Sequence, residues 1–449
     1  MIINNWFMKN ISLTSILQNL IKLFLFILPW QTIWIYKDQY LNGFKWQYGT
    51  LGFYATEILL WIIALIFIGW FWKNFRLEVS KFKFKMTKDR FFTLSVLVFI
   101  VYVYISSFWA LDGELAQQHG LRIMEMFLLF FILFLGPLNF KESARWLVLG
   151  SILPAVLGIL QFATQDVFAS KWFGLSNHVG WKAGASIVAN SEIGRMLRSY
   201  GPFTHPNVFG GYLVIVMFML LLWSLSVTKF RFKIILFASY CLLVITLFFT
   251  FSRSALLSLP VVLFIYYIAN KKIILQKVVS TLLPIFILIL ILAPVLAVRV
   301  SGNSVNEIQS ITERTDQVEE SFVIIKNNLW FGVGVGNYTL ALYNDDSSKQ
   351  AWEYQPVHNV GLLLLSELGI IGMTLLLLIF INFIRYQMSF IRYNNENFKK
   401  RFKFYMLSGI CYMLLCLFDH YLYSSYVGLM ISGVYWGLIT RFNTQYLHS

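Results

Sequence analysis

The feature that most constrains this chain is its series of apolar runs. Most are about 20 residues long, enough to cross a bilayer as a helix. About twelve can be placed, at 16–35, 51–72, 91–109, 121–138, 146–162, 208–227, 234–251, 255–269, 273–298, 357–384, 404–418 and 421–439. The loops between them alternate in charge. One set is basic: 73–90, Lys141 and Arg145, Lys229 with Arg231 and Lys233, Lys271 with Lys272 and Lys277, and 385–403. The other set is poor in Lys and Arg: 36–50, 110–120, 163–207, 252–254, 299–356 and 419–420. Basic loops stay in the cytoplasm, so both termini are expected there and the second set outside. The reading is an all-α polytopic membrane protein, 1–449 forming a single transmembrane domain.

Composition agrees. The chain is 58% hydrophobic and only 13% charged, which excludes a string of soluble domains. Its net charge of +15 suggests nucleic acid, but the basic loops account for it, and no nucleic-acid partner is expected. Lys9 and Lys22 flank or enter a first run that reads as a signal anchor. Cys241, Cys411 and Cys416 all lie in apolar segments, so neither a disulfide framework nor a metal cluster is expected. No internal repeat is visible, which disfavours an inverted-repeat transporter.

Function is expected in the two long outside loops, 163–207 and 299–356. In the second, Val305, Ile308, Ile311, Thr315, Val318, Phe322 and Ile325 recur at helical spacing, so 304–327 reads as an amphipathic helix along the membrane surface or capping the bundle. Gly332-x-Gly334-x-Gly336 follows it. With no βαβ unit around it, this is no dinucleotide fingerprint and reads as a flexible turn.

Three places carry candidate chemistry. Arg198 to Asn207 includes Gly201, His205 and Pro206 directly before an apolar run. Arg198 there suits phosphate or lipid headgroups, while His205 and Asn207 either serve the reaction or cap the next helix. Ser252-Arg253-Ser254 is a bare turn between two apolar runs. A guanidinium there is a permanent cation whose fork matches phosphate oxygens. His358-Asn359 opens the run that ends near Arg385, placing an imidazole at a helix mouth. Taken as one helix, Gly361, Gly369 and Gly372 fall on the stripe below His358 and admit a close neighbour. Glu367 falls on the opposite side, as a structural partner. Asp112-Gly113-Glu114 and Asp419-His420 are possible Mg²⁺ or Mn²⁺ ligands, but solvated carboxylates are the commoner outcome and no metal is assigned.

The ordered set R-x-x-G-x-x-x-H-P-N (Arg198, Gly201, His205, Pro206, Asn207), S-R-S (252–254) and H-N-x9-G-x-x-G (His358, Asn359, Gly369, Gly372) resembles the O-antigen ligase family of bacterial membrane glycosyltransferases. The similarity is concentrated in 198–372. It implies a GT-C-type fold with a large, partly helical extracytoplasmic loop between spans 9 and 10. It also implies transfer of a glycan from an undecaprenyl-pyrophosphate carrier to a lipid or glycan acceptor hydroxyl, without cofactor, metal or nucleotide, in the bacterial cytoplasmic (inner) membrane. By the same matching, His358 would be catalytic and Arg198 and Arg253 would hold the pyrophosphate. His205, Asn207, Asn359, Gly369 and Gly372 would support them. The family's R-x3-L arginine on the outer-loop helix would be Arg314, with Val318 in place of Leu. A polysaccharide polymerase, a protein O-oligosaccharyltransferase or another cell-wall glycan ligase would share donor and chemistry. A flippase for lipid-linked glycans is the reading of another class, and it predicts a polar pathway at the midplane.

Overall fold

The computed structural model describes residues 12–77, 79–182, 184–190, 194–269, 275–301, 305–389 and 409–445. Lys9, Lys271, Lys272 and most of the basic segment 385–403 lie outside them. The helices are α1 (Leu13–Ile27), α2 (Ala55–Leu77), α3 (Val79–Ile105), α4 (Gly113–Leu135), α5 (Phe140–Thr164), α6 (Pro206–Ser224), α7 (Phe230–Phe249), α8 (Arg253–Ala269), α9 (Leu275–Ile291), α10 (Ala293–Ser301), α11 (Val305–Asn327), α12 (Tyr338–Asp345), α13 (Val360–Ser389), α14 (Gly409–Phe418), α15 (Tyr421–Ser424) and α16 (Tyr426–Gln445). Among the described residues, seven are long and apolar enough to cross a membrane, or eight if the bent pair α9–α10 counts as one span. Leu13–Ile27, Arg253–Tyr267 and Gly409–Phe418 are shorter apolar helices. The protein is mostly helical and crosses the membrane several times.

α6 is apolar on every side, and the fold uses it as the central post: 89% of its apolar window is buried. It packs on α5, α7 and α8, while α4 lies along α16, α13 along α3 and α1 along α5. Small residues bring backbones together in the bundle. A Cβ on Gly433 of α16 would stand 2.7 Å from the Met126 carbonyl oxygen of α4.

Four local expectations are corrected. The first helix stops at Ile27, where Pro29 follows in a turn, and Ile33–Lys37 form a strand instead. The run at 273–298 is two helices bent by 81°. Pro294, at the start of α10, cannot donate a backbone hydrogen bond to the preceding turn, so the second helix begins anew there. α3 starts at Val79, inside the segment read as a basic loop. The run from His358 is not one continuous helix. It starts at Val360 and breaks at Gly369 (φ 64°, ψ −171°), which removes the geometry behind the glycine stripe.

The loops are also not purely helical. Among the described residues, four antiparallel two-stranded ribbons pair β1 (Ile33–Lys37) with β4 (Leu51–Tyr54), β2 (Tyr40–Leu41) with β3 (Phe44–Lys45), β5 (Asp166–Val167) with β6 (His178–Val179), and β7 (Ile187–Asn190) with β8 (Gly194–Leu197). They interlock into a cap over one end of the bundle. Thr32 Oγ1 donates to the Trp172 carbonyl at 2.6 Å. Asn42 Nδ2 donates to the carbonyls of Ser347 (2.7 Å) and Lys349 (2.8 Å), and Phe44 meets Trp352 edge-on at 5.0 Å.

The expected amphipathic helix is present as α11, and its apolar stripe is split: Val318 packs on the core and Ile325 is buried. Ile308 (53% exposed) and Phe322 (57%) of the same stripe point away from the protein, while Gln317, Ser321 and Ile324 are buried. In a membrane protein the surrounding solvent is itself apolar, so part of an apolar stripe can face outward and leave polar residues for the interior.

Candidate active site

α6, α8, α10, α11 and the start of α13 converge at the capped end. A cavity of about 610 Å³ opens between them, a size typical of ligand sites. Among the described residues its lining holds Arg195, Arg198, Arg253, Arg299 and Arg314 against one acid, Glu313, with His205, Asn207 and His358 in the same wall. Such an excess of guanidinium forks in one cavity can receive a polyanion such as phosphate.

Each arginine arrives by its own device. Arg198 follows β8 and is only 4% exposed. Its Nε donates to the Thr250 carbonyl (2.7 Å), Nη1 to Ser186 Oγ (2.8 Å) and Nη2 to Asn207 Oδ1 (2.6 Å). Arg253 is the first residue of α8, after a corner where Phe251 takes a positive φ of 45°. Its Nη2 reaches Ser310 Oγ of α11 at 3.4 Å. Arg299 is carried in by the bend at Pro294, and its Nε and Nη2 donate to the Phe251 carbonyl at 3.3 and 3.0 Å. Arg314 lines the cavity from the inward face of α11.

His358 lies one residue before the cap of α13. Its Nδ1 is 2.7 Å from Gln317 Oε1 on α11. A proton on Nδ1, shared with that oxygen, leaves the lone pair on Nε2. Asn359 holds the segment in place: its Oδ1 accepts the Leu362 N–H (3.0 Å) and its Nδ2 donates to the Leu417 carbonyl of α14 (3.2 Å). Asp419 and His420 link α14 to α15 and complete the neighbourhood. The His420 ring meets the His358 ring edge-on at 5.0 Å. Asp419, 4% exposed, accepts Asn207 Nδ2 at 2.8 Å and the His420 N–H at 2.9 Å. Asn207 thus joins Arg198 to Asp419.

The titration of these groups follows. Desolvation lowers the pKa of His358, with Arg314 adding to it and Asp419 opposing. His420 is pushed down to about 4 by desolvation and by His358. His205 is pushed down to about 3 by desolvation and then by Arg198. Burial would raise Asp419, but His358, His420, His205 and Arg314 outweigh it and hold the carboxyl below its usual value. Near neutral pH the site holds three neutral imidazoles and one carboxylate.

Among the residues singled out from the sequence, Arg198, Arg253, Arg314, His205, Asn207 and His358 share this cavity. His205 also caps α6, its Nδ1 accepting the Asn207 N–H at 3.1 Å. Gly369 and Gly372 are not in the lining. At Gly369 the helix opens, and the N–H groups of Ile370 and Ile371 bond to the carbonyls of Leu329 (2.9 Å) and Trp330 (3.2 Å). A Cβ on Gly369 would overlap the Trp330 carbonyl, and one on Gly372 would stand 2.8 Å from Tyr102 Cε1. The turn at Gly332, Gly334 and Gly336 packs into this break with φ of 69°, 93° and 73°. Val333 and Val335 are buried. It is a tight wedge and not the flexible turn expected. Glu367 has the structural role expected of it. It accepts the N–H groups of Gly336 (2.8 Å) and Tyr338 (3.4 Å) and the Tyr423 hydroxyl (2.7 Å). Asp112 caps α4 through the N–H groups of Glu114 and Leu115, and Glu114 pairs with Lys37.

Sequence reasoning missed Arg299 and Gln317, and it left Asp419 and His420 apart from His358. Gln317 had a signal: it stands three residues after Arg314, on the same helix face.

A multi-pass membrane protein with an arginine-lined cavity and a histidine in its wall is the class defined so far. Residues 238–377, about a third of the chain, match the family model described as O-Antigen ligase, and this segment is what the chain shares with that family. The matched segment takes in Arg253, Arg299, Arg314, Gln317 and His358. No curated protein matches this chain.

Proposed function

We propose that this protein transfers a glycan from an undecaprenyl-pyrophosphate carrier to an acceptor hydroxyl. The observation that carries the reading is the meeting of Arg198, Arg253, Arg299 and Arg314 with His358 in one cavity. The acceptor oxygen attacks the anomeric carbon as the bond from that carbon to the pyrophosphate oxygen breaks, inverting the centre. The hydroxyl proton goes to His358, whose neutral ring is ready to take it. The leaving undecaprenyl pyrophosphate gains negative charge, which the arginines stabilise in a water-poor site. No step calls for a metal, nucleotide or other cofactor.

In this reading the twelve apolar runs are twelve spans in a GT-C-type arrangement. Both termini are cytoplasmic, and the cavity opens on the extracytoplasmic face of the bacterial inner membrane. The outward apolar residues Ile308 and Phe322 of α11 then rest on lipid. The flippase alternative finds less support. What favours the enzyme reading instead is that Arg198, Arg253, Arg299, Arg314 and His358 gather in one cavity at the capped end of the bundle.

The test is transfer by the purified chain, with a lipid-pyrophosphate glycan, candidate acceptors and EDTA present, and product linkage read by mass spectrometry. An inverted glycosidic product is expected, and the acceptor that gains it separates lipid ligase, polymerase and protein oligosaccharyltransferase. Loss of transfer in EDTA with rescue by Mg²⁺ would overturn the metal-independent mechanism.

A further inference from the structure

The cluster behind the cavity wall has more ligands than a general base needs. We propose that His358, Asp419 and His420 form a transition-metal site of the zinc type, and that its occupation closes the catalytic histidine to transfer. The closing role rests on the reading of His358 as the base; the metal site does not.

Geometry comes first. One nitrogen from each ring and a carboxylate oxygen lie within 4.8 Å of one another. Zinc bonds to nitrogen and oxygen are about 2.0–2.2 Å, so a shared ion requires these atoms to draw in by about 1 Å. All three residues sit on connectors, His358 before α13 and Asp419–His420 between α14 and α15, where side chains can shift without moving a helix. Three protein ligands leave a fourth tetrahedral position for water, as open zinc sites do.

The surroundings are those of a metal site as well. Ligand imidazoles usually have their second nitrogen held by an acceptor, which fixes the ring. Here Gln317 Oε1 is 2.7 Å from Nδ1 of His358, and Ser424 Oγ is 2.6 Å from Nδ1 of His420. Asp419 is held by Asn207 Nδ2 and by the His420 N–H. Each ligand therefore has its own orienting partner, and Asp419 is buried rather than a solvated surface acid.

Donor type selects the ion. Two imidazoles and one carboxylate suit Zn²⁺, Co²⁺ and Ni²⁺, whereas Mg²⁺ and Ca²⁺ prefer all-oxygen shells. The cavity arginines repel every cation, so the ions that bind are those with strong bonds to nitrogen. This departs from the sequence expectation, in which Asp419-His420 was a possible Mg²⁺ or Mn²⁺ pair.

The experiment titrates the metal-stripped full chain in detergent with Co²⁺ and follows its visible absorption. Expected are tetrahedral Co²⁺ bands that saturate near one equivalent, are bleached by Zn²⁺ and are untouched by Mg²⁺ or Ca²⁺. His420→Ala and Asp419→Asn should each weaken Co²⁺ binding about tenfold or more. Should Asp419→Asn fail to fold, His420→Ala decides alone, once its elution and melting match those of the parent protein. Absence of the bands, or bands that survive His420→Ala, would overturn the site. In a parallel arm Zn²⁺ should stop glycan transfer and EDTA restore it. Zn²⁺ bound at this site with transfer undiminished overturns the closing role. If the metal-free protein transfers no glycan at all, it is the functional reading that fails, and the Co²⁺ titration still judges the site.

Discussion

The start of α13 and its break a few turns later use similar local means for different ends. At the start, Asn359 and Gln317 fix one imidazole at the wall of a charged cavity. At the break, Gly369 opens the helix so that residues 329–334 can take over its hydrogen bonds, and Glu367 ties down the start of α12. One region presents an imidazole to the cavity, and the other uses its backbone groups to hold elements together. Both carry residues of the same motif, H-N-x9-G-x-x-G. The difference teaches that a motif's spacing can join chemistry to the scaffold that aims it.

His358→Ala gives the sharpest break between the two regions. Removing one ring at a helix mouth leaves no large apolar cavity, so insertion and melting should be near normal. Turnover should fall by about 10²–10⁴, the usual contribution of a positioned base. The check is single-turnover transfer beside a thermal melt. Retention of full turnover would remove His358 from the chemistry and make His205 the next candidate.

Arg253→Lys comes next. An ammonium keeps the charge but loses the fork that reaches Ser310 and matches two phosphate oxygens. Turnover should fall by roughly 10²-fold, the scale of one lost charge-stabilising donor. Arg198→Lys should do the same and also lower stability, since its guanidinium bonds to Thr250, Ser186 and Asn207. Normal kinetics in both variants would leave these arginines as structural anchors.

Gly369→Ala should show the reverse pattern. Its backbone conformation is essentially reserved for glycine and costs roughly 1–3 kcal/mol for other residues. The added methyl would also meet the Trp330 carbonyl. Stability and insertion should drop first, with activity following the folded fraction. Full stability with turnover lost would mean that the break belongs to the site and would erase the contrast.

How much of this could be read in advance differs between the same two regions. Arg198, Arg253, Arg314 and His358 stand out because charge next to long apolar runs is conspicuous in one dimension. Arg299 does not, because only the 81° bend at Pro294 carries it to Phe251, and a hydropathy reading passes straight through that bend. Gln317 is an uncharged residue on a helix whose acids and Arg314 draw the eye, and only its place three residues after Arg314 marks it. α11 presents Ile308 and Phe322 outward and turns Gln317 inward. The glycine wedge is legible as glycines but not as a wedge. The partners of Gly332, Gly334 and Gly336 are Glu367, Ala110 and His119, and no local pattern announces contacts so distant in the chain.

The smallest effect is expected at Asp112→Asn, which asks whether the acidic D-x-E belongs to either region. Asp112 Oδ1 caps α4 by accepting the N–H groups of Glu114 (2.9 Å) and Leu115 (3.0 Å). Asparagine caps a helix about as well as aspartate, so that function survives. Oδ2 accepts Gln39 Nε2 at 3.1 Å, and an amide nitrogen placed there would oppose another donor. The side chain can shed only this half-buried bond, so the cost should stay near 1 kcal/mol or below. Asp112 is also absent from the cavity lining, and its backbone N–H is held by Asn337 Oδ1 at 2.7 Å. Turnover should therefore match that of the parent protein, measured with and without EDTA, while the melt shifts slightly. A large loss of turnover restored by added Mg²⁺ would mean that the capped end contains a second centre of chemistry, and the division between reactive wall and silent scaffold would have to be drawn again.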